Sequence, residues 1–250
     1  MNFVWYELMT TAPEAAEGFY RDVIGWGARD GDIPGLRYTV FTIEATPVAG
    51  LMALPPEARA AGARPGWVGY VAADDVDAFV ERVKQAGGSV HHGPADIPGV
   101  GRFAIVADPQ GATFALFKGL GEGEAPAPMT PGRTGWHELH AADHEKAFAF
   151  YAALFGWRKK EAIDLGPMGI YQLFGLGDAS IGGMFTKPAA EPAPYWLYYF
   201  NVAEIEAAAA RVKDKGGQVV NGPHQVPGGS WIIQCIDPQG AMFALVAPAK

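Results

Sequence analysis

The chain has 250 residues, 49% of them hydrophobic and 18% charged, and its 27 acidic against 19 basic residues give a net charge of −8. That balance is globular rather than disordered. With no Lys/Arg run longer than the three residues Arg158 to Lys160 it lacks the footprint of nucleic-acid binding, and an acidic surface repels anionic lipid. The single cysteine, Cys235, excludes an internal disulfide framework, and its apolar run Trp231 to Ile236 predicts an inert buried thiol. No apolar run approaches the ~18 residues of a membrane span, and the segment from Met1 has no basic leader, so the expected location is cytoplasmic.

The elements come twice. Trp5-x-Glu7-Leu8, Phe19-Tyr20 and Gly25-Trp26 return as Trp136-x-Glu138-Leu139, Phe150-Tyr151 and Gly156-Trp157, at an offset of 131. Further along the offset is 129: Gly87-Gly88 matches Gly216-Gly217, Gly93-Pro94 matches Gly222-Pro223, and Asp108-Pro109-Gln110-Gly111 matches Asp237-Pro238-Gln239-Gly240. A repeat on this scale fixes the organisation before any local reading.

In chain order, the opening strand of each copy is followed by a helix whose apolar face is Ala16, Phe19, Tyr20 and Val23, or Ala147, Phe150, Tyr151 and Leu154, stopped by Gly25 or Gly156. Short strands rich in β-branched and aromatic residues follow, such as 37–43. A second helix carries Val76, Phe79, Val80 and Val83, or Ile205, Ala208, Ala209 and Val212, with Asp74 or Asp75 available as a cap for the former. Each Asp-Pro-Gln-Gly is turn chemistry ahead of a last strand. Between the copies, Gly119 to Pro128 has a Gly, Pro and Glu content that cannot build a core. The expected layout is therefore a domain over 1–119, a linker over 120–132 and a second domain over 133–250.

In their order and spacing these motifs resemble the vicinal oxygen chelate superfamily, the group of glyoxalases, bleomycin-resistance proteins and extradiol dioxygenases. The resemblance implies an α+β fold in which paired βαβββ modules form a half-open eight-stranded cup, helices outside and ligand inside. In metal-dependent members three strand positions hold a divalent ion. Counting from the shared motifs, those positions fall on Trp5, Val68 and Ala115, and on Trp136, Leu197 and Ala244. None of these side chains donates electrons to a metal, so no cofactor is expected.

Strand alternation sets what lines each cup. Trp5 brings Glu7 and Met9 with it, and Trp136 brings Glu138 and His140, while His137 faces away. The fifth strands add Tyr70, Tyr199 and Asn201. The expected ligand-binding residues are thus Trp136, His140, Tyr199, Asn201, Trp5 and Tyr70, an aromatic lining suited to a flat organic molecule. The expectation is a small-molecule binder, monomeric or homodimeric, that works without the usual metal. The alternative is a glyoxalase-like lyase, isomerase or dioxygenase, with a divalent metal on atypical ligands or with Glu138 or Glu7 as general base. A third reading is a structural protein whose cups are filled by their own side chains. His91 and His92 are adjacent on a strand, point oppositely and cannot chelate together. No nucleophile triad, phosphate loop or nucleotide fingerprint is present.

Overall fold

The structure is a computed structural model that describes residues 1–33, 35–121 and 126–248. Glu122 to Ala125 of the expected linker lie outside the described residues. The first copy runs β1 (Phe3–Thr10), α1 (Pro13–Ile24), β2 (Gly27–Asp30), β3 (Tyr38–Ile43), β4 (Thr46–Ala53), α2 (Pro56–Ala60), β5 (Gly66–Ala72), α3 (Val76–Gln85), β6 (Ser89–Ile97), β7 (Gly101–Ala107) and β8 (Thr113–Gly119). The second runs β9 (Thr134–Ala141), α4 (His144–Phe155), β10 (Arg158–Asp164), β11 (Ile170–Leu176), β12 (Ala179–Thr186), β13 (Tyr195–Asn201), α5 (Ile205–Asp214), β14 (Gln218–Gln225), β15 (Trp231–Ile236) and β16 (Met242–Ala247). Each copy forms one mixed eight-stranded sheet, in the order β2-β3-β4-β1-β5-β8-β7-β6 and its counterpart β10-β11-β12-β9-β13-β16-β15-β14. The fold is the α+β arrangement of paired βαβββ modules that the motifs imply. The short helix α2 is an addition that the sequence pattern does not announce.

The helices form for the expected reasons. In α1 the buried positions include Ala16, Phe19, Tyr20 and Val23, and Gly25 adopts φ 91° as a left-handed stop. Its twin α4 buries Ala147, Phe150, Tyr151 and Leu154 before Gly156 at φ 73°. Asp75 caps α3 by accepting a hydrogen bond from Ala78 N at 3.0 Å. Cys235 is fully buried, and burial pushes its thiol up to about 12.

Packing divides the chain into two compact units, one of Met1–Val4, Val68–Gly123 and Trp136–Leu197, the other of Trp5–Trp67, Glu124–Gly135 and Tyr198–Lys250. Each unit thus joins modules from both copies, and each carries the same buried polar link. In the first unit Tyr151 Oη donates to Asp108 Oδ2 at 3.1 Å and accepts from Trp196 Nε1 at 3.0 Å. In the second, Tyr20 Oη donates to Asp237 Oδ2 at 3.1 Å and accepts from Trp67 Nε1 at 2.9 Å. The other oxygen of each aspartate organises its own Asp-Pro-Gln-Gly turn: Asp108 Oδ1 accepts from Gln110 N and Ala112 N, and Asp237 Oδ1 from Gln239 N and Ala241 N. Burial raises both carboxyl pKa values, while the backbone and tyrosine hydrogen bonds work against it.

The tryptophans repeated after the first helix of each copy serve the same end. Trp26 is buried and donates to Gly132 O at 2.8 Å, and Trp157 is buried and donates to Met1 O at 2.8 Å.

Candidate functional site

In both copies the parallel pairing of the opening strand sets a glycine beside the strand's glutamate. Gly50 of β4 is the register partner of Glu7, and Gly183 of β12 is the partner of Glu138. Neither glycine has a side chain to fill the space, and the tyrosine of the neighbouring strand leans into it. A β-carbon on Gly50 would run into the Tyr38 hydroxyl and ring edge, and one on Gly183 would run into the Tyr171 ring. Lying flat over the glycine, each tyrosine meets the other side chains of the opening strand.

The result is one hydrogen-bonded chain made twice. Trp5 Nε1 donates to Tyr38 Oη at 3.0 Å, and Tyr38 is hydrogen-bonded in turn to Glu7. Trp136 Nε1 donates to Tyr171 Oη at 2.9 Å, and Tyr171 Oη donates to Glu138 Oε2 at 2.7 Å. Glu7 and Glu138 are both buried. Burial first, and then the adjacent carboxylate, holds each phenol well above its ordinary range. Both tyrosines therefore remain neutral donors to a carboxylate.

The second copy extends this chain where the first does not. His140 occupies the position of Met9 and is buried, with Nε2 at 3.0 Å from Glu138 Oε1 and Nδ1 at 2.8 Å from Glu191 Oε2. Tyr195 stacks on the imidazole, with ring centroids 4.3 Å apart and planes at 24°, and Phe185 meets it edge-on at 4.6 Å. Burial works to discharge His140, but the two carboxylates overcome it and raise the pKa to about 9. That direction favours an imidazolium that donates both N–H groups to the carboxylates.

The expected residues are distributed as follows. Trp136, Glu138 and His140 come together in one chain of contacts, and Trp5 and Glu7 in another. Tyr70 packs against Phe103 and Phe117. Tyr199 Oη accepts from Gln234 Nε2 at 2.8 Å. Asn201 is committed to the segment that leads into β9: its backbone pairs with Gly132 and Arg133, its Nδ2 donates to Thr130 O at 3.2 Å, and its Oδ1 lies against Gly135. His137 Nδ1 donates to Ile181 O at 2.5 Å, and the ring stacks on Phe3 at 4.3 Å. His91 and His92 are exposed, and His92 stacks on Phe103.

Four participants were missed: Tyr38, Tyr171, Glu191 and Tyr195. A signal for the first two existed. Tyr38-x-x-Phe41 returns as Tyr171-x-x-Phe174, and Gly50 as Gly183, all at an offset of 133 (171 − 38 and 183 − 50), between the stretches at 131 and 129.

The family-type metal does not fit this donor set. The positions that would carry it are Trp5, Val68, Ala115, Trp136, Leu197 and Ala244. The two indole N–H groups among them are already spent on Tyr38 and Tyr171.

Comparison with known proteins agrees with the fold. The Glyoxalase/Bleomycin resistance protein/Dioxygenase superfamily matches residues 2–116 and again 131–245. The Mycobacterium tuberculosis protein named "Putative glyoxylase CFP32" is 34% identical over 247 residues, covering 98% of this chain and 94% of that one. The Streptomyces peucetius "Anthracycline biosynthesis protein DnrV" is 34% identical over 258 residues, covering 97% and 91%. Among solved structures, the Mn(II)-bound glyoxalase from Novosphingobium aromaticivorans aligns with a TM-score of 0.65 at 19% identity, over 99% of this chain and 81% of that one. Homoprotocatechuate 2,3-dioxygenase from Brevibacterium fuscum aligns with a TM-score of 0.69 at 13% identity, over 100% and 81%. The twice-matched superfamily and the paired βαβββ sheets lead to one conclusion: the chain belongs to the glyoxalase/bleomycin resistance/dioxygenase superfamily, with two tandem copies of its domain.

Proposed function

We propose that the chain binds a small planar aromatic molecule, chiefly in the second copy, without the divalent ion of the metal-dependent members. The observation that carries this reading is the chain Trp136–Tyr171–Glu138–His140–Glu191, in which half-buried aromatic rings surround a buried carboxylate and imidazolium. Rings fixed by hydrogen bonds at their polar ends offer flat apolar area at little entropic cost. The ion is dispensable on this reading because the polar end of the site is built from side chains. The similarity to proteins named for anthracycline biosynthesis supports including anthracyclines in the ligand panel.

A thermal-shift screen of aromatic metabolites and antibiotics tests it. A ligand at 100 times its dissociation constant raises stability by about 2.7 kcal/mol. Trp136→Ala should then weaken binding by roughly 1–3 kcal/mol, as expected for loss of an aromatic anchor. A panel in which no planar aromatic compound binds, or binding that Trp136→Ala leaves unchanged, would sink the reading.

A further inference from the structure

The two copies share the Trp-Tyr-Glu chain but not what surrounds it. His140 stands where the first copy has Met9, and Phe185 where it has Met52. Counted back from Trp196 and Trp67, Tyr195 stands where it has Gly66, and Glu191 comes from the connection before β13, where the two copies differ in length. Three matched positions differ together, and in the second copy their side chains meet with that of Glu191: Glu191, Tyr195 and Phe185 each contact the His140 ring. The difference is therefore a built cluster rather than scattered drift.

Within that cluster the hydrogen bonds leave two polar atoms over. Both His140 nitrogens are taken by carboxylates, and both Glu138 oxygens are taken, by Tyr171 and His140. The ammonium of Lys187 is held by the main-chain oxygen of Glu191. Glu191 spends Oε2 on His140, and among the described residues Glu191 Oε1 and Tyr195 Oη have no hydrogen-bond partner. Both residues are half-buried, at the edge of the buried His140–Glu138 pair. Burial first, then the charges of Glu191 and Glu138, hold the Tyr195 phenol well above its ordinary range. It therefore stays protonated and can donate, while Glu191 Oε1 can only accept.

An acceptor and a donor left open on one imidazole are complementary to a single hydroxyl, which donates and accepts through the same oxygen. Resting on the reading that this copy binds a planar aromatic molecule, we propose that Glu191 and Tyr195 are its specificity determinants. They select a hydroxylated ring by receiving a phenolic hydroxyl between Glu191 Oε1 and Tyr195 Oη. The first copy has Gly66 in place of Tyr195 and Met9 in place of His140, so the selection belongs to the second alone. The imidazolium beneath Tyr195 adds to it. A cation on one face withdraws π-density from the phenol ring, and the opposite face then favours the electron-rich ring that a hydroxyl substituent produces.

Equilibrium dialysis of the full chain against 2-naphthol and against naphthalene tests the proposal, with Tyr195→Phe and Glu191→Gln alongside the wild type. The expected result is one hydroxyl-selective site per chain, with 2-naphthol bound about tenfold or more tighter than naphthalene, the scale of a charge-assisted hydrogen bond. Each substitution should lower that ratio several-fold. Tyr195→Phe keeps the ring and its stacking on His140, so a changed ratio reports the hydroxyl itself. Binding of both compounds with a ratio that neither variant moves would overturn the proposal while leaving aromatic binding standing. Two equal hydroxyl-selective sites would overturn it as well. Failure of the wild type to bind either compound, or any planar aromatic in the wider panel, would remove the underlying reading and this proposal together.

Discussion

Tyr171 lies across the α-carbon of Gly183, and from there its hydroxyl reaches Glu138 Oε2 at 2.7 Å. The glycine is thus a binding-site residue by virtue of what it lacks. Tyr38 and Gly50 stand in the same relation in the first copy.

Gly183→Ala should therefore act through the tyrosine. Gly183 has no left-handed backbone that would strain an alanine, and a strand ordinarily favours alanine over glycine. The added methyl must displace the Tyr171 ring, and a loss of about 1–3 kcal/mol is expected from overpacking and the broken chain. Urea unfolding measures it, and Gly50→Ala should behave alike through Tyr38. Unchanged stability in both would show that the rings move aside freely and that the glycines are incidental.

Tyr171→Phe removes one hydroxyl that serves two neighbours. Glu138 loses a donor and Trp136 loses an acceptor, so the expected cost is about 1–3 kcal/mol, the scale of leaving buried polar groups unsatisfied. The indole fluorescence of Trp136 should also shift as its N–H is released. Tyr171→Phe as stable as the wild type, with an unaltered emission spectrum, would mean that water replaces the hydroxyl.

Much of this was legible beforehand, and the division has a physical cause. Helix faces and caps follow from local periodicity, so α1 and α4 could be placed from the residues alone, and the cap of α3 narrowed to Asp74 or Asp75. Strand alternation likewise put Trp136, Glu138 and His140 on one face and His137 on the other. What alternation cannot show is which neighbouring strand leans over that face. Tyr171 lies on β11, whose reach across Gly183 depends on the pairing of β12 with β9. Glu191 comes from the connection before β13, where no periodicity operates and the two copies differ in length. Asn201 falls on the expected strand, but two of the residues that claim it, Thr130 and Gly132, lie in the stretch whose composition reads as linker.

His140 gives the site a pH signature. Its folded pKa, raised to about 9 from an unfolded value near 6.5, means that the folded state holds the proton more tightly. The stabilisation is fully present below about pH 6.5 and is lost as pH rises to 9 and beyond, amounting to roughly 3 kcal/mol in all. The wild type should accordingly lose more stability than His140→Gln over this range. Parallel unfolding curves for the two proteins from pH 6 to pH 9.5 would show that His140 is not held charged.

Elemental analysis of protein purified without chelator should find well below one equivalent of Zn, Ni, Mn or Fe. Added ions should leave the melting temperature unchanged, whereas a native site at 100 times its dissociation constant would contribute about 2.7 kcal/mol. A stoichiometric metal that His140→Gln or Glu138→Gln releases would overturn the metal-free reading and favour an enzyme.

The buried Asp-Tyr-Trp links have a consequence for any attempt to work with half of the protein. Tyr20 pairs with Asp237, and Tyr151 with Asp108. A scission within 120–132 therefore separates both partners at once, and each fragment keeps a buried aspartate whose tyrosine is on the other piece. Such fragments are poor candidates for solitary folding and good ones for complementation. Mixed together, 1–119 and 134–250 should recover the cooperative unfolding that neither shows alone, with Asp108→Ala or Asp237→Ala weakening the reassembly. The stretch that was duplicated in the sequence and the stretch that closes a core are different lengths of chain.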